Sequence, residues 1–103
     1  MRGDVFRLRA PRGVRGSEQS GTRYAVVVQS DLLPLSTWLV SPTSMSARAA
    51  SFRPEITLAG DTTRVLAEQT AAVDPRRLGE QVGHLTLDEM KQVDAALRVV
   101  LAL

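Results

Sequence analysis

The sequence has no cysteine and a single histidine, His84, in 103 residues. The first absence excludes a disulfide framework, a thiolate zinc site, an iron–sulfur cluster and a cysteine nucleophile. The second excludes, within one chain, a histidine pair acting as acid and base and any multi-histidine metal site. Lysine is nearly absent too: of 13 basic side chains only Lys91 is not arginine. The aromatic residues are Phe6, Tyr24, Trp38 and Phe52. No run approaches the roughly 20 apolar residues of a membrane span. The basic start, Met1 to Ala10, has no apolar stretch behind it such as a signal peptide needs. The expected location is therefore the cytoplasm. Chemistry is left to Arg, Glu, Asp, Ser, Thr, Tyr and the backbone.

What is present is ordinary in amount and uneven in placement. Apolar residues make up 44% and charged residues 23%, which excludes a wholly disordered chain and suits one globular domain over 1–103. The net charge is only +2. Residues 1–23, however, hold six arginines (2, 7, 9, 12, 15 and 23) against Asp4 and Glu18, a local +4, and the rest sums to −2. Arginine forks match phosphate geometry, so such a cluster attracts polyanions.

Short alternating segments dominate the first 85 residues. Val5 to Ala10 alternates as a half-buried strand. Residues 11–22, with Pro11 and three glycines, read as a long loop. Tyr24 to Ser30 is a β-branched run expected to be a central strand, buried on both faces. A connection over Asp31 to Leu35 leads to a third strand, Thr37 to Ser41, expected to stop at Pro42. Ser41 to Ser51 reads as a second loop. Pro54 to Leu58 alternates, Gly60-Asp61 turns, and Arg64 to Val73 is read as one strand. Asp74 to Arg77 starts a turn or one helical turn, and Glu80 to Leu85 is a short strand. Thr86-Leu87-Asp88-Glu89 is a capping box, opening a helix with Met90, Val93, Leu97, Val100 and Leu101 at helical spacing. The pattern predicts a small curled, mainly β domain with a C-terminal helix packed beside the sheet.

Several stretches in fixed order resemble one family. They are Gly16-Ser17-Glu18-Gln19-Ser20-Gly21-Thr22-Arg23, Val40-Ser41-Pro42-Thr43-Ser44, Phe52-Arg53-Pro54-Glu55, Leu66-Ala67-Glu68-Gln69, Val73 to Gly79, and Val82-Gly83-His84-Leu85 before the helix. This order and length resemble the MazF/PemK (Kid) toxins of type II toxin–antitoxin systems over essentially the whole chain. The resemblance implies an SH3-like barrel of the CcdB/PemK type and a homodimer. It implies a sequence-specific endoribonuclease for single-stranded RNA that needs no metal or cofactor and leaves 2′,3′-cyclic phosphate and 5′-hydroxyl ends. It also implies a cognate antitoxin whose acidic C-terminal tail, disordered when free, covers the arginine-lined groove.

Such cleavage needs a base for the 2′-hydroxyl, a stabiliser of charge on the phosphoryl oxygens, and an acid for the leaving oxygen. Arg23 falls on the family's catalytic arginine, its main role being charge stabilisation, since its pKa is too high for a good acid. Thr43 falls on the threonine after the third strand, as a phosphate donor that Ser44 can share. Glu18 is the candidate base, and Gln19 is placed to orient the loop or touch a base. Arg7, Arg9, Arg12, Arg15 and Arg48 are candidate RNA contacts. Tyr24, where the family commonly has proline, is expected to turn away from the groove, and His84 is read as structural. Two alternatives share the fold: a CcdB-like gyrase-binding toxin, disfavoured because the only tryptophan is Trp38, and an inactive SH3-like interaction module.

Overall fold

A computed structural model describes residues 1–9 and 23–103. Strand β1 is Asp4–Leu8, β2 Tyr24–Val27, β3 Trp38–Ser44, β4 Glu55–Leu58, β5 Asp61–Val65, β6 Ala71–Val73 and β7 Leu78–His84, followed by helix α1, Leu87–Leu101. The β-branched run behaves as its composition demands. Tyr24, Val26 and Val28 enter one core with Val5, Ile56, Leu58, Val65, Leu85 and Val93. Ala25 and Val27 enter a second core with Val40, Val73 and Leu78, against which Phe6, Leu8 and Trp38 pack. Each face of β2 thus has its own apolar layer, one roofed by α1, and the strand cannot slip by one residue without exposing both.

Pairing throughout is antiparallel, in the order β4-β5-β3-β2-β1-β7, with β6 also on β3. Two register shifts between β1 and β7 add residues on the β7 side and curl the sheet. The result is a half-barrel with the helix across it.

β3 differs from the sequence expectation in a way that matters for the site. It does not stop at Pro42 but continues to Ser44. Its first half, Trp38 to Val40, pairs with β6, while Thr43 and Ser44 pair with Val65 and Arg64 of β5. Pro42 lies at the exchange of partners, where a missing N–H costs no bond in either ladder. Its carbonyl accepts from Leu66 N at 2.8 Å.

The same exchange breaks the strand expected over Arg64 to Val73. The chain must pass from one half of β3 to the other, and it does so through a 3₁₀ turn at Ala67–Gln69. Thr70 Oγ1 donates to the Ala67 carbonyl at 2.8 Å. That proton being used, the Ser41 hydroxyl donates to Thr70 Oγ1 at 2.6 Å. The β4–β5 hairpin turns on Ala59 and Gly60, both at positive φ (50° and 85°), so Asp61 belongs to β5 rather than to the turn.

The capping box is complete. Glu89 N donates to Thr86 Oγ1, and Thr86 N donates to Glu89 Oε1. Glu89 Oε2 accepts from Thr57 N at 2.9 Å, so one carboxylate caps the helix and ties it to β4. Arg2 ties the far end, with Nη2 2.6 Å from Asp94 Oδ1 and Nε donating to the Val28 carbonyl. Val93 and Ala96 are buried and Met90 and Leu97 pack on the core, but Leu101, expected in that seam, is 60% exposed. Leu97→Asp should destabilise by about 2–4 kcal/mol, since a carboxylate would replace an apolar contact at the core margin. Leu101→Asp should change the melting temperature little, and equal losses in the two variants would contradict this helix orientation.

Candidate active site

Antiparallel pairing gathers one set of strand ends. β1 finishes where β2 and β7 begin: Arg7 is opposite Tyr24, and Leu8 opposite Leu78. The Arg23 carbonyl accepts from Leu8 N, and the Arg77 carbonyl from Arg9 N. β3 finishes beside them, with Ala25 opposite Pro42. Arg9 and Arg23, which flank residues 10–22, lie at this end, and the β3–β4 loop leaves from Ser44 at the same end of the sheet.

Arg23 and Thr43 meet there. Arg23 Nε donates to the Thr43 carbonyl oxygen at 3.2 Å, and its terminal nitrogens bond no other group among the described residues. Tyr24 N donates to Thr43 Oγ1 at 3.1 Å, and Thr43 is 1% exposed. Thr43 is thus a strand residue rather than the loop residue expected, and its hydroxyl oxygen joins the end of β3 to the start of β2. Tyr24, as expected, turns into the core. Ser44 is partly exposed, and its Oγ accepts from Ser46 N at 3.3 Å.

The cations of this end divide into two groups. Arg7 pairs with Glu80, Arg53 with Glu68, Arg64 with Glu55 and Arg76 with Asp74. Arg9, Arg23, Arg48 and Arg77 have no carboxylate partner among the described residues. Arg77 also has a buried Nε without an acceptor among those residues, and its Nη2 donates to the Arg9 carbonyl at 3.4 Å. The sequence reading did not single out Arg77 because Arg76-Arg77 was read as part of a turn or one helical turn, which Pro75–Arg77 forms as a 3₁₀ turn. The turn itself explains Arg76: its backbone N and guanidinium both bond Asp74. Those bonds hold the Asp74 carboxyl down at about 2 and raise the Arg76 pKa. Glu18, Gln19, Arg12 and Arg15 lie outside the described residues.

His84 is at the opposite end of β1, its Nδ1 2.7 Å from Asp4 Oδ1, which fits a structural role. The terminal amine of Met1 is 3.2 Å from the other Asp4 oxygen. Trp38 packs against Phe6 with ring centroids 5.9 Å apart. Among the described residues no group of three or more His, Asp or Glu side chains is arranged to hold a metal ion. No helix among them is long and apolar enough to cross a membrane.

Fold and charge together describe a small half-barrel with a cluster of arginines at one set of strand ends. The family model for PemK-like, MazF-like toxins of type II toxin–antitoxin systems matches residues 1–101, and the chain belongs to that family. A candidate toxin of Mycobacterium tuberculosis (strain ATCC 25618 / H37Rv) is 39% identical over 104 residues, covering 100% of this chain and 98% of the relative. Among solved structures, a mycobacterial endoribonuclease in complex with its cognate antitoxin superposes with a TM-score of 0.80 at 18% identity, covering 100% of this chain and 95% of that one. MazF from Deinococcus radiodurans superposes with a TM-score of 0.78 at 24% identity, covering 99% and 96%. These two likenesses establish the fold.

Besides Asp74, two partly covered carboxyls are held below their ordinary range. Burial alone would raise Asp4, but hydrogen bonds and charge from His84 and the terminal amine outweigh it. Burial would likewise raise Glu68, but the bonds and charge of Arg53, with a backbone bond, outweigh it. A lowered folded-state pKa contributes stability above the ordinary values of 3.8 and 4.5, and that stability is lost as pH falls through the folded-state values. The melting temperature should therefore drop as pH falls below about 4.5. Asp4→Asn and Glu68→Gln should each flatten that drop when thermal melts are recorded from pH 7 to pH 2.

Proposed function

We propose that this chain is the toxin of a type II toxin–antitoxin pair and acts as an endoribonuclease on single-stranded RNA, without a metal ion. The observation that carries the reading is Arg23. It is held through Nε on the Thr43 carbonyl, at a strand end where Arg9, Arg48 and Arg77 also lack a carboxylate partner among the described residues. In the reaction the RNA 2′-oxygen attacks the adjacent phosphorus and the 5′-oxygen leaves, giving a 2′,3′-cyclic phosphate and a 5′-hydroxyl. The 2′-hydroxyl proton passes to a base, for which Glu18 is the candidate, and the leaving oxygen takes up a proton. Two guanidinium donors of Arg23 stabilise the extra negative charge on the phosphoryl oxygens.

Thr43 serves this chemistry by position. Its carbonyl orients Arg23, and its hydroxyl oxygen fixes the backbone one residue further on. Ser44, Gln19 and the arginines at 7, 9, 12, 15 and 48 hold the RNA. Because Arg7 shares its charge with Glu80, Arg9 and Arg48 are the stronger phosphate contacts of the described set. Bases splayed from a single strand stack on guanidinium planes where aromatic rings are few. The same cationic end suits the acidic tail of an antitoxin, which competes with RNA for it. The protein acts as a homodimer in the cytoplasm. Leucines at 32, 101 and 103, between 60% and 89% exposed, favour a chain that covers apolar surface by association.

The test is cleavage of a long single-stranded RNA by the antitoxin-free protein in EDTA. Discrete cuts with 5′-hydroxyl ends are expected. Arg23→Ala should lower the rate by on the order of 1,000-fold while shifting the melting temperature little, since one partly exposed hydrogen bond contributes only ~1 kcal/mol. Cleavage retained by the variant would remove Arg23 from the mechanism, and cuts that vanish in EDTA would overturn metal independence.

A further inference from the structure

The loop that leaves β3 at Ser44 and returns at Pro54 carries Arg48, and much of its hydrogen bonding centres on Arg53. Arg53 N donates to the Ala50 carbonyl at 3.0 Å. Its Nη1 donates to the Arg48 carbonyl at 3.3 Å, and its own carbonyl accepts from Arg64 Nη1 at 2.8 Å. The guanidinium lies 5.5 Å from the Phe52 ring centroid. Its remaining donors, Nε and Nη2, both reach Glu68 Oε2, at 2.8 and 2.5 Å.

Glu68 belongs to the 3₁₀ turn, which is itself bound to β3 on both sides. Leu66 N donates to the Pro42 carbonyl, and the Ser41 hydroxyl bonds Thr70 Oγ1. The ion pair therefore links the loop bearing Arg48 to the corner holding Thr43. Both side chains are only about one quarter exposed. Glu68 Oε1 is buried with no donor among the described residues, so its charge is compensated through Arg53. Neutralising either partner leaves the other charge half-buried without its counter-charge, and such an uncompensated charge destabilises the contact strongly.

We propose that Arg53 and Glu68 are a positioning pair that fixes the 45–53 loop, and with it Arg48, for binding single-stranded RNA. This rests on the ribonuclease reading above. The pair acts on affinity, and the chemical step stays with Arg23.

The experiment measures kcat and KM for RNA cleavage, with melting temperatures, in the wild type, Glu68→Gln, Arg53→Lys, Arg48→Ala and the Glu68→Gln/Arg48→Ala double variant. Glu68→Gln keeps the shape and removes the charge. Arg53→Lys keeps the charge and removes the two-nitrogen contact, and serves if Glu68→Gln does not fold. Each single variant should raise KM about tenfold, with kcat within about twofold of wild type, as expected for a displaced phosphate contact. The double variant should be no worse than either single one, because Arg48 has nothing further to lose once its loop is released. A merely structural pair would not couple to Arg48 in this way. Multiplying effects in the double variant, or a loss in kcat at unchanged KM, would overturn the proposal while leaving the ribonuclease reading intact. A wild-type protein that cleaves no RNA would end both.

Discussion

Where β2 begins and β3 ends, the two strands are joined by a side chain. The Thr43 hydroxyl accepts the Tyr24 N–H inside the protein, next to a proline that offers no N–H of its own. This junction lets β3 give up one neighbour and take another. The exchange directs β5 and β6 to separate halves of the strand and forces the 3₁₀ turn between them. It also fixes Arg23, whose Nε is held by the carbonyl of the same threonine. A residue that supplies both a buried hydroxyl acceptor and a carbonyl acceptor links the core to Arg23 at the strand end.

The electrostatics follow from the same geometry. Strand ends that converge bring their cations with them, and repulsion between like charges is tolerable only where some are neutralised. Four carboxylates do this selectively. Glu80, Glu68, Glu55 and Asp74 each take one arginine, and Arg9, Arg23, Arg48 and Arg77 have no such partner among the described residues. The pairs are not equal in character. Asp74–Arg76 is open to solvent and shapes a turn, whereas Arg53–Glu68 is largely covered and spans two segments distant in sequence. Salt screens the first kind and hardly touches the second.

Periodicity and capping chemistry were sufficient for most of the architecture. The doubly buried β2 run, the helix opened by Thr86 and Glu89, and the inward turn of Tyr24 are local consequences of residue type and alternation. Arg23 was found only because the order of several weak motifs resembles a family; as one arginine among twelve it carries no mark. Arg53, Glu68 and Arg77 were passed over as site residues for a related reason. A charged residue in a turn looks the same whether it faces water or closes a contact with a segment 15 residues away.

Residue type and spacing alone settled what depends on neighbours along the chain: which segments extend, where the helix starts, which chemistries lack their side chains. Tertiary structure decided the rest. Pro42 reads as a strand terminator until it is known that β3 changes partners there, since a missing N–H matters only if some strand awaits it. Thr43 reads as a loop hydroxyl until the start of β2 is brought to it. Which arginines remain uncompensated is fixed by pairings between distant segments, because an ion pair is a property of distance in space and sequence spacing does not contain it.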